Sequence, residues 1–139
     1  MGVGSVLIYM GVLGFAAMIS PGVGIFGGLI AMLPQSVTEM SHVPAYGLLT
    51  WLLSRALQGY GWPRRDSLLF AIITPLIFGI WMELFQAFVP GRVVDSGDVL
   101  MNCLGIGMAS CVILWRDISA DSGVKVRAVH SRTHVNYLK

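Results

Sequence analysis

The chain has 139 residues, of which 55% are hydrophobic and 12% are charged, against about 25% charged residues in an ordinary soluble domain. Glycine, which lets membrane helices approach each other closely, accounts for 17 residues, and the net charge is only +2. This composition argues against a soluble domain and gives no indication of a nucleic-acid partner. It predicts an integral membrane protein whose length allows one helical bundle.

Four apolar stretches predict an all-α membrane protein, specifically a four-transmembrane-helix bundle. Each stretch is close to the ~20 residues that cross a hydrocarbon core about 30 Å thick. Ser41 is a candidate N-cap of the second span, and Pro44 would lie in its first turn, where the missing N–H does no harm. The spans are predicted at about residues 2–19, 41–58, 67–89 and 99–115.

A shorter apolar run, residues 23–33, follows the first span. Because its 11 residues are too few to cross a membrane, it is predicted to be a re-entrant or interfacial segment. The sequence leaves these two alternatives open. Gly24 and Gly28 form a Gly-x-x-x-Gly pair in this run. Together with Gly105 in the fourth span, they are candidate helix-packing residues.

The positive charges predict the orientation of the chain. Residues 1–115 are predicted to form the transmembrane domain, and residues 116–139 a basic tail. Eight of the nine Lys and Arg residues lie in this tail, near the end of the second span, or in the loop after it, and only Arg92 lies on the other side. Basic residues are enriched on the cytoplasmic side. Both termini are therefore predicted to be cytoplasmic, in a multi-pass membrane protein.

This topology brings polar residues to the outward end of the bundle, and spacings of three or four residues put each helical pair on one face. Glu83 lies six residues before Val89, about 9 Å into its helix, where a carboxylate must face the bundle interior. Arg92 is the candidate cation, because a guanidinium can bind two carboxylates. The candidate ligand-binding residues, or alternatively members of a polar clasp between helices, are His42, Tyr46, Glu83, Gln86, Arg92, Asp95, Asp98 and Asn102.

Three motifs contain most of these residues. They are Glu83-x-x-Gln86-x-Phe88-x-Pro90-x-Arg92, Asp98-x-x-x-Asn102-x-x-Gly105, and His42-x-x-x-Tyr46. Together they resemble the signature of the VanZ-like family, and the resemblance covers about residues 20–110. The family usually has an Asp-Lys pair where this chain has Thr38 and Glu39, and commonly Ser where it has Asp95. The outer site is therefore more acidic here than in the family pattern.

The resemblance implies a small polytopic protein of the bacterial cytoplasmic (inner) membrane. The family's name-giving member is associated with reduced susceptibility to the glycopeptide teicoplanin. No particular reaction is implied by it.

Three functions are compatible with these observations. We favour a non-catalytic protein that binds a cell-envelope or lipid-headgroup component through its outward polar pocket, because an Arg–carboxylate cluster suits phosphate, carboxylate or amine groups. The first alternative is an accessory subunit of a larger bacterial membrane complex, such as a photosynthetic or respiratory assembly. The second is an enzyme acting on a lipid-linked substrate, with Glu83, Asp98 and His42 as catalytic groups. No nucleophile motif in the sequence supports this last alternative.

No cofactor or metal site is predicted, and the expected partners are membrane lipids and, in the first alternative, a larger membrane complex. A single histidine is a weak signal for haem or pigment ligation, so that alternative stays open for His42. Cys103 and Cys111 would lie about 12 Å apart along one helix, which is too far for a disulfide. We predict that both are small buried apolar residues.

Overall fold

A computed structural model describes the backbone of residues 2–90 and 95–136 and the side chains of residues 2–90 and 95–120. Within this part of the chain the fold is all-helical, as predicted, and contains no strand. The helices, in chain order, are α1 (Val3–Ala17), α2 (Gly24–Ala31), α3 (Gln35–Gly59), α4 (Arg64–Gln86) and α5 (Ser96–Asn136).

Helix α3 lies at the centre of the bundle. It packs against α1, α4 and α5. Its side chains form most of the apolar core, in which Leu49 and Ala56 are fully buried against Val6 of α1 and Ala71 of α4. The Tyr9 hydroxyl of α1 also donates a hydrogen bond to the carbonyl of Ala45, at 3.2 Å. The arrangement of α3 therefore sets the positions of the other long helices.

Helices α3 and α5 approach most closely where glycines face each other. A Cβ atom on Gly105 would overlap the backbone carbonyl of Val43, and one on Gly47 would lie 3.2 Å from the carbonyl oxygen of Gly105. Small residues at a helix crossing allow this backbone contact. Gly105, a candidate helix-packing residue, thus lies at a helix contact.

Two helices of the described chain are long and apolar enough to cross a membrane, Arg64–Gln86 and Ser96–Ala120. Helix α1 has 15 residues, which at a rise of about 1.5 Å per residue is shorter than a hydrocarbon core about 30 Å thick. The structure therefore supports two of the four predicted spans by length and hydropathy.

Helix α3 has 25 residues, enough to span a bilayer, but its hydropathy is lowered chiefly by Gln35, Glu39, His42, Arg55 and Gln58, which are exposed or partly buried. Its buried polar side chains contribute less. Thr50 and Ser54 are both fully buried. The Thr50 hydroxyl donates to the carbonyl of Tyr46 at 2.8 Å, and Ser54 Oγ accepts a hydrogen bond from Gln58 Nε2 at 3.1 Å. These polar groups face other helices and are satisfied within α3.

The second predicted span, 41–58, begins earlier in the structure, because α3 starts at Gln35 with Pro34 as its N-cap. The prediction that Ser41 is an N-cap and that Pro44 lies in the first turn was therefore wrong. Residues just before the predicted span instead belong to the helix and include a side-chain pair one turn apart: Gln35 Nε2 donates to Glu39 Oε1 at 2.7 Å. Such pairs stabilise the first turns of a helix.

Helix α2 has eight residues and lies inside the predicted short apolar run. Its predicted Gly-x-x-x-Gly pair makes no helix contact within the described chain, since a Cβ atom on Gly24 or Gly28 would meet no atom within 4 Å. Gly27, which precedes Gly28, makes the close contact: a Cβ atom there would overlap the Ser20 carbonyl. Gly22 N donates to the Gly27 carbonyl at 2.8 Å. These glycines fold the turn before α2 back onto the helix.

The last two predicted spans also differ from the helices observed. The span at 67–89 corresponds to α4, which begins and ends three residues earlier. The span at 99–115 lies within α5, which continues through most of the predicted tail as far as Asn136. Cys103 and Cys111 are exposed on α5, because α5 packs on the bundle through its opposite face. The prediction that they are buried was therefore wrong.

We expect Gly105→Ala to destabilise the bundle, because the added methyl group would meet the Val43 backbone, which can move only if α3 and α5 separate. Overpacking of this kind costs about 1–3 kcal/mol and should lower the midpoint of thermal unfolding in detergent. Gly107→Ala is the matched control, because a Cβ atom at Gly107 meets no atom within 4 Å. Equal midpoints for the two variants would contradict the close contact.

Candidate functional site

Polar side chains from three helices meet at one end of the bundle. They come from the first half of α3 (His42 and Tyr46), the last turn of α4 (Glu83 and Gln86) and the first two turns of α5 (Asp98 and Asn102). We call these six residues the polar cluster. All of them except His42, which is partly buried, are buried in the bundle.

The shortest contact in the polar cluster joins α3 to α5. His42 Nδ1 lies 2.9 Å from Asn102 Oδ1, and His42 Nε2 lies 3.7 Å from Asp98 Oδ2. Because an amide oxygen only accepts hydrogen bonds, Nδ1 carries the proton in this contact. The second ring nitrogen, Nε2, faces the Asp98 carboxylate. Both nitrogens of His42 thus face side chains of α5.

The carboxylates of the polar cluster are shielded from solvent and lipid. Glu83 is 3% exposed and Asp98 is 9% exposed. One side-chain atom from each of His42, Glu83 and Asp98 can be chosen so that the three atoms lie within 4.8 Å of one another. Short distances between buried carboxylates favour a cation or a shared proton between them. The arrangement can therefore hold a positive charge.

Gly79 makes room for the polar cluster on the α4 side. A Cβ atom there would lie 2.8 Å from Asn102 Nδ2 and 3.0 Å from the Tyr46 ring. The Tyr46 ring is parallel to that of His42, with centroids 6.2 Å apart. Sequence reasoning missed Gly79. The available signal was its position four residues before Glu83, which puts the two on one face of α4.

The remaining candidate residues differ in what the structure shows of them. Asp95 lies at the start of α5, where its Oδ1 atom accepts a hydrogen bond from the N–H of Gly97 at 2.8 Å. This contact caps the helix, as short acidic side chains commonly do. Arg92, the predicted cation, lies outside the described residues.

A pocket of about 250 Å³ opens beside the polar cluster. Helices α1 and α2 and the segment after α2 give it apolar walls, and α3 and α4 give it polar groups. Its polar side is formed by His42, Tyr46, Glu83 and Gln86, and its apolar side includes Leu13, Ala16, Ala17, Ile30 and Leu33. The pocket can thus accept a molecule that is apolar at one end and polar at the other.

The apolar helices, two of them candidate membrane spans, indicate a small helical membrane protein with a polar cluster buried among three of its helices. Residues 6–117 match the protein family described as VanZ/LLP1. The chain therefore belongs to the VanZ/LLP1 family. The match confirms the family resemblance and extends it on both sides of residues 20–110. No curated protein and no solved structure matches the chain.

We expect Asn102→Ala to destabilise the protein, because it leaves the Nδ1–H group of His42 without its acceptor in a partly buried place. The cost should be about 1–3 kcal/mol, measured by thermal unfolding in detergent. Cys103→Ala, at the exposed neighbour on α5, is the control and should unfold like the unchanged chain.

Nitrogen NMR of the histidine rings gives a second readout for the same variant. The neutral His42 ring should carry its proton on Nδ1 in the unchanged chain and lose this preference in Asn102→Ala. A ring protonated on Nε2 in the unchanged chain would contradict the hydrogen bond to Asn102.

Proposed function

We propose that this chain is a multi-pass protein of the bacterial inner membrane with its polar cluster at the outward end and both termini in the cytoplasm. The basic residues support this orientation. Arg64 Nη1 lies 3.9 Å from Asp117 Oδ1, and Arg55 and Arg116 line one pocket, so these arginines share the end of the bundle opposite the polar cluster. Basic residues are enriched on the cytoplasmic side.

The direction of α1 supports a cytoplasmic N-terminus. Gly2, just before α1, lies next to the Tyr60 hydroxyl at the basic end, whereas Ala16 and Ala17 line the pocket at the other end. Helix α1 thus runs from the basic end to the polar cluster. In this proposal α1, α3, α4 and α5 all cross the membrane, and α1 does so where its short length is matched by local thinning of the bilayer.

The pocket is proposed to bind the polar head of a cell-envelope amphiphile, such as a lipid or a lipid-linked precursor, without changing it chemically. The observation that carries this proposal is the division of the pocket into an apolar wall from α1 and α2 and a polar side that includes Glu83 and Gln86. Carboxylates accept hydrogen bonds. The head groups that fit are therefore those with hydroxyl or amine donors.

A binding role is favoured over catalysis by the contacts of His42. Its ring nitrogens face Asn102 and Asp98, an arrangement that holds the ring in place rather than leaving a nitrogen directed at a substrate in the pocket. A general base must reach the proton that it removes. The proposed contribution of the polar cluster is recognition.

A second candidate function is that of an accessory subunit in a larger membrane complex. It is favoured by a separate apolar groove of about 360 Å³ between α3 and α5. Gly47, Gly105 and Ala109 lie in this groove beside Met108 and Trp51. Small residues let a neighbouring helix approach closely. In this proposal, a helix of another subunit would pack against this groove.

Two tryptophan substitutions separate these functions. Ala16→Trp fills the wall of the pocket and should abolish the binding of envelope lipids, measured by native mass spectrometry of the purified protein with a bacterial lipid extract. Ala109→Trp fills the groove between α3 and α5 and should leave lipid binding unchanged. If both variants bind the extract like the unchanged chain, the pocket is not the binding site. Loss of a co-purifying subunit only in Ala109→Trp would support the second candidate instead.

Glu83→Gln tests the polar side of the pocket, because it keeps the shape of the side chain and removes its charge. Hydrogen bonds to charged groups contribute about 1.5–3 kcal/mol, so the affinity for the bound lipid should fall at least about tenfold. Resistance to teicoplanin in cells that express the variant gives a second readout. Unchanged affinity with an unchanged unfolding midpoint would exclude a role of Glu83 in recognition.

A further inference from the structure

We propose that His42, Glu83 and Asp98 form a binding site for a divalent transition-metal ion such as Zn²⁺. Each residue comes from a different helix, α3, α4 and α5, and each offers one ligand atom within 4.8 Å of the other two. Zinc binds histidine nitrogen and carboxylate oxygen at about 2.0–2.2 Å with tetrahedral geometry, so ligand atoms around one ion lie roughly 3.5 Å apart. Side-chain rotations that move these atoms by roughly 1 Å would bring them into a coordination sphere.

The histidine already has the tautomer and the orientation that a metal ligand needs. Its Nδ1–H donates to Asn102 Oδ1 at 2.9 Å, which leaves the lone pair of Nε2 directed towards Asp98, at 3.7 Å from Oδ2. In metal sites the second nitrogen of a ligating histidine almost always donates to an oxygen in this way. Because the lone pair and the carboxylate oxygen are both electron-rich, the space between them suits a cation.

The three residues are shielded from bulk water. Glu83 and Asp98 are buried, and His42 is partly buried. The charge of a divalent metal ion is compatible with two carboxylates at such a place.

The ligand set indicates the class of ion. One imidazole nitrogen and two carboxylate oxygens suit zinc or manganese, whereas magnesium and calcium prefer oxygen ligands alone. His42 and Glu83 also line the pocket of about 250 Å³, which gives an ion a route of entry. Water or an oxygen of a bound molecule can complete its coordination from the pocket. The proposal concerns ion binding and does not depend on the pocket holding an amphiphile.

Zinc binding can be measured on the full-length chain in detergent after treatment with a chelator. The background is the double variant His130→Gln/His134→Gln, because two histidines four residues apart in the tail can also bind zinc. We expect about one zinc per chain by elemental analysis, and an affinity at least about tenfold weaker in Asp98→Asn and in Glu83→Gln. Magnesium at the same concentration should not compete. Asp117→Asn, which alters a carboxylate at the opposite end of the bundle, is the control and should bind zinc like the background.

Two readouts do not depend on the folding of the ligand variants. Zinc should raise the unfolding midpoint of the background chain, because an ion that binds only the folded state stabilises it. Cobalt(II) should give visible absorption bands of a site with nitrogen and oxygen ligands. Absence of both effects would overturn the proposal, as would equal zinc affinity in Asp98→Asn and the background.

Arg92→Gln tests whether a guanidinium takes the place of the ion. The metal site predicts that this variant binds zinc as tightly as the background or more tightly. If the background binds no zinc and Arg92→Gln does, the positive charge in the native protein comes from Arg92 and the proposal is wrong. Failure of the zinc experiments leaves the lipid-binding test with Ala16→Trp unaffected, because that test contains no added metal.

Discussion

The close contact between α3 and α5 at Gly47 and Gly105 is the constraint on which the polar cluster depends. The carbonyl that touches Gly105 belongs to Val43, the neighbour of His42, and Asn102 lies one turn before Gly105. Backbones this close allow short side chains to meet, so that His42 Nδ1 and Asn102 Oδ1 are 2.9 Å apart. A wider separation would put histidine and asparagine out of reach of each other. These glycines therefore belong to the site as much as its polar residues do.

The polar cluster constrains the arrangements that the helices can adopt. Burying carboxylates such as those of Glu83 and Asp98 costs free energy, which contacts with their neighbours must offset. The cost is larger in any packing that leaves one of these carboxylates among apolar side chains. Helix arrangements that keep α4 and α5 apart at this end are therefore disfavoured. In the proposals made above, the same carboxylates bind a cation or a hydrogen-bond donor.

The sequence allows the location of the polar groups to be predicted better than their contacts. That His42, Glu83 and Asp98 lie near one end of the bundle follows from the alternating direction of successive helices. The start of α3 could not be predicted, because Pro44 fits both the first turn of a helix and, as observed, its interior. Gly79 resembles many other glycines in this chain until its neighbours across the helix contact are known. The distances among His42, Glu83 and Asp98 depend on helix packing, which no local pattern encodes.

Several hydroxyl groups of the described bundle bond within their own helix. Thr50 donates to the carbonyl of Tyr46, Ser110 to that of Ile106 and Ser119 to that of Trp115. Such bonds survive any rotation of a helix about its axis or any slide along it, so they carry no information about register. The discrimination between the native register and its neighbours therefore falls to the glycine contact and the polar cluster. A single turn of slippage between α3 and α5 would separate them both, and the register of the bundle is thus fixed at one end.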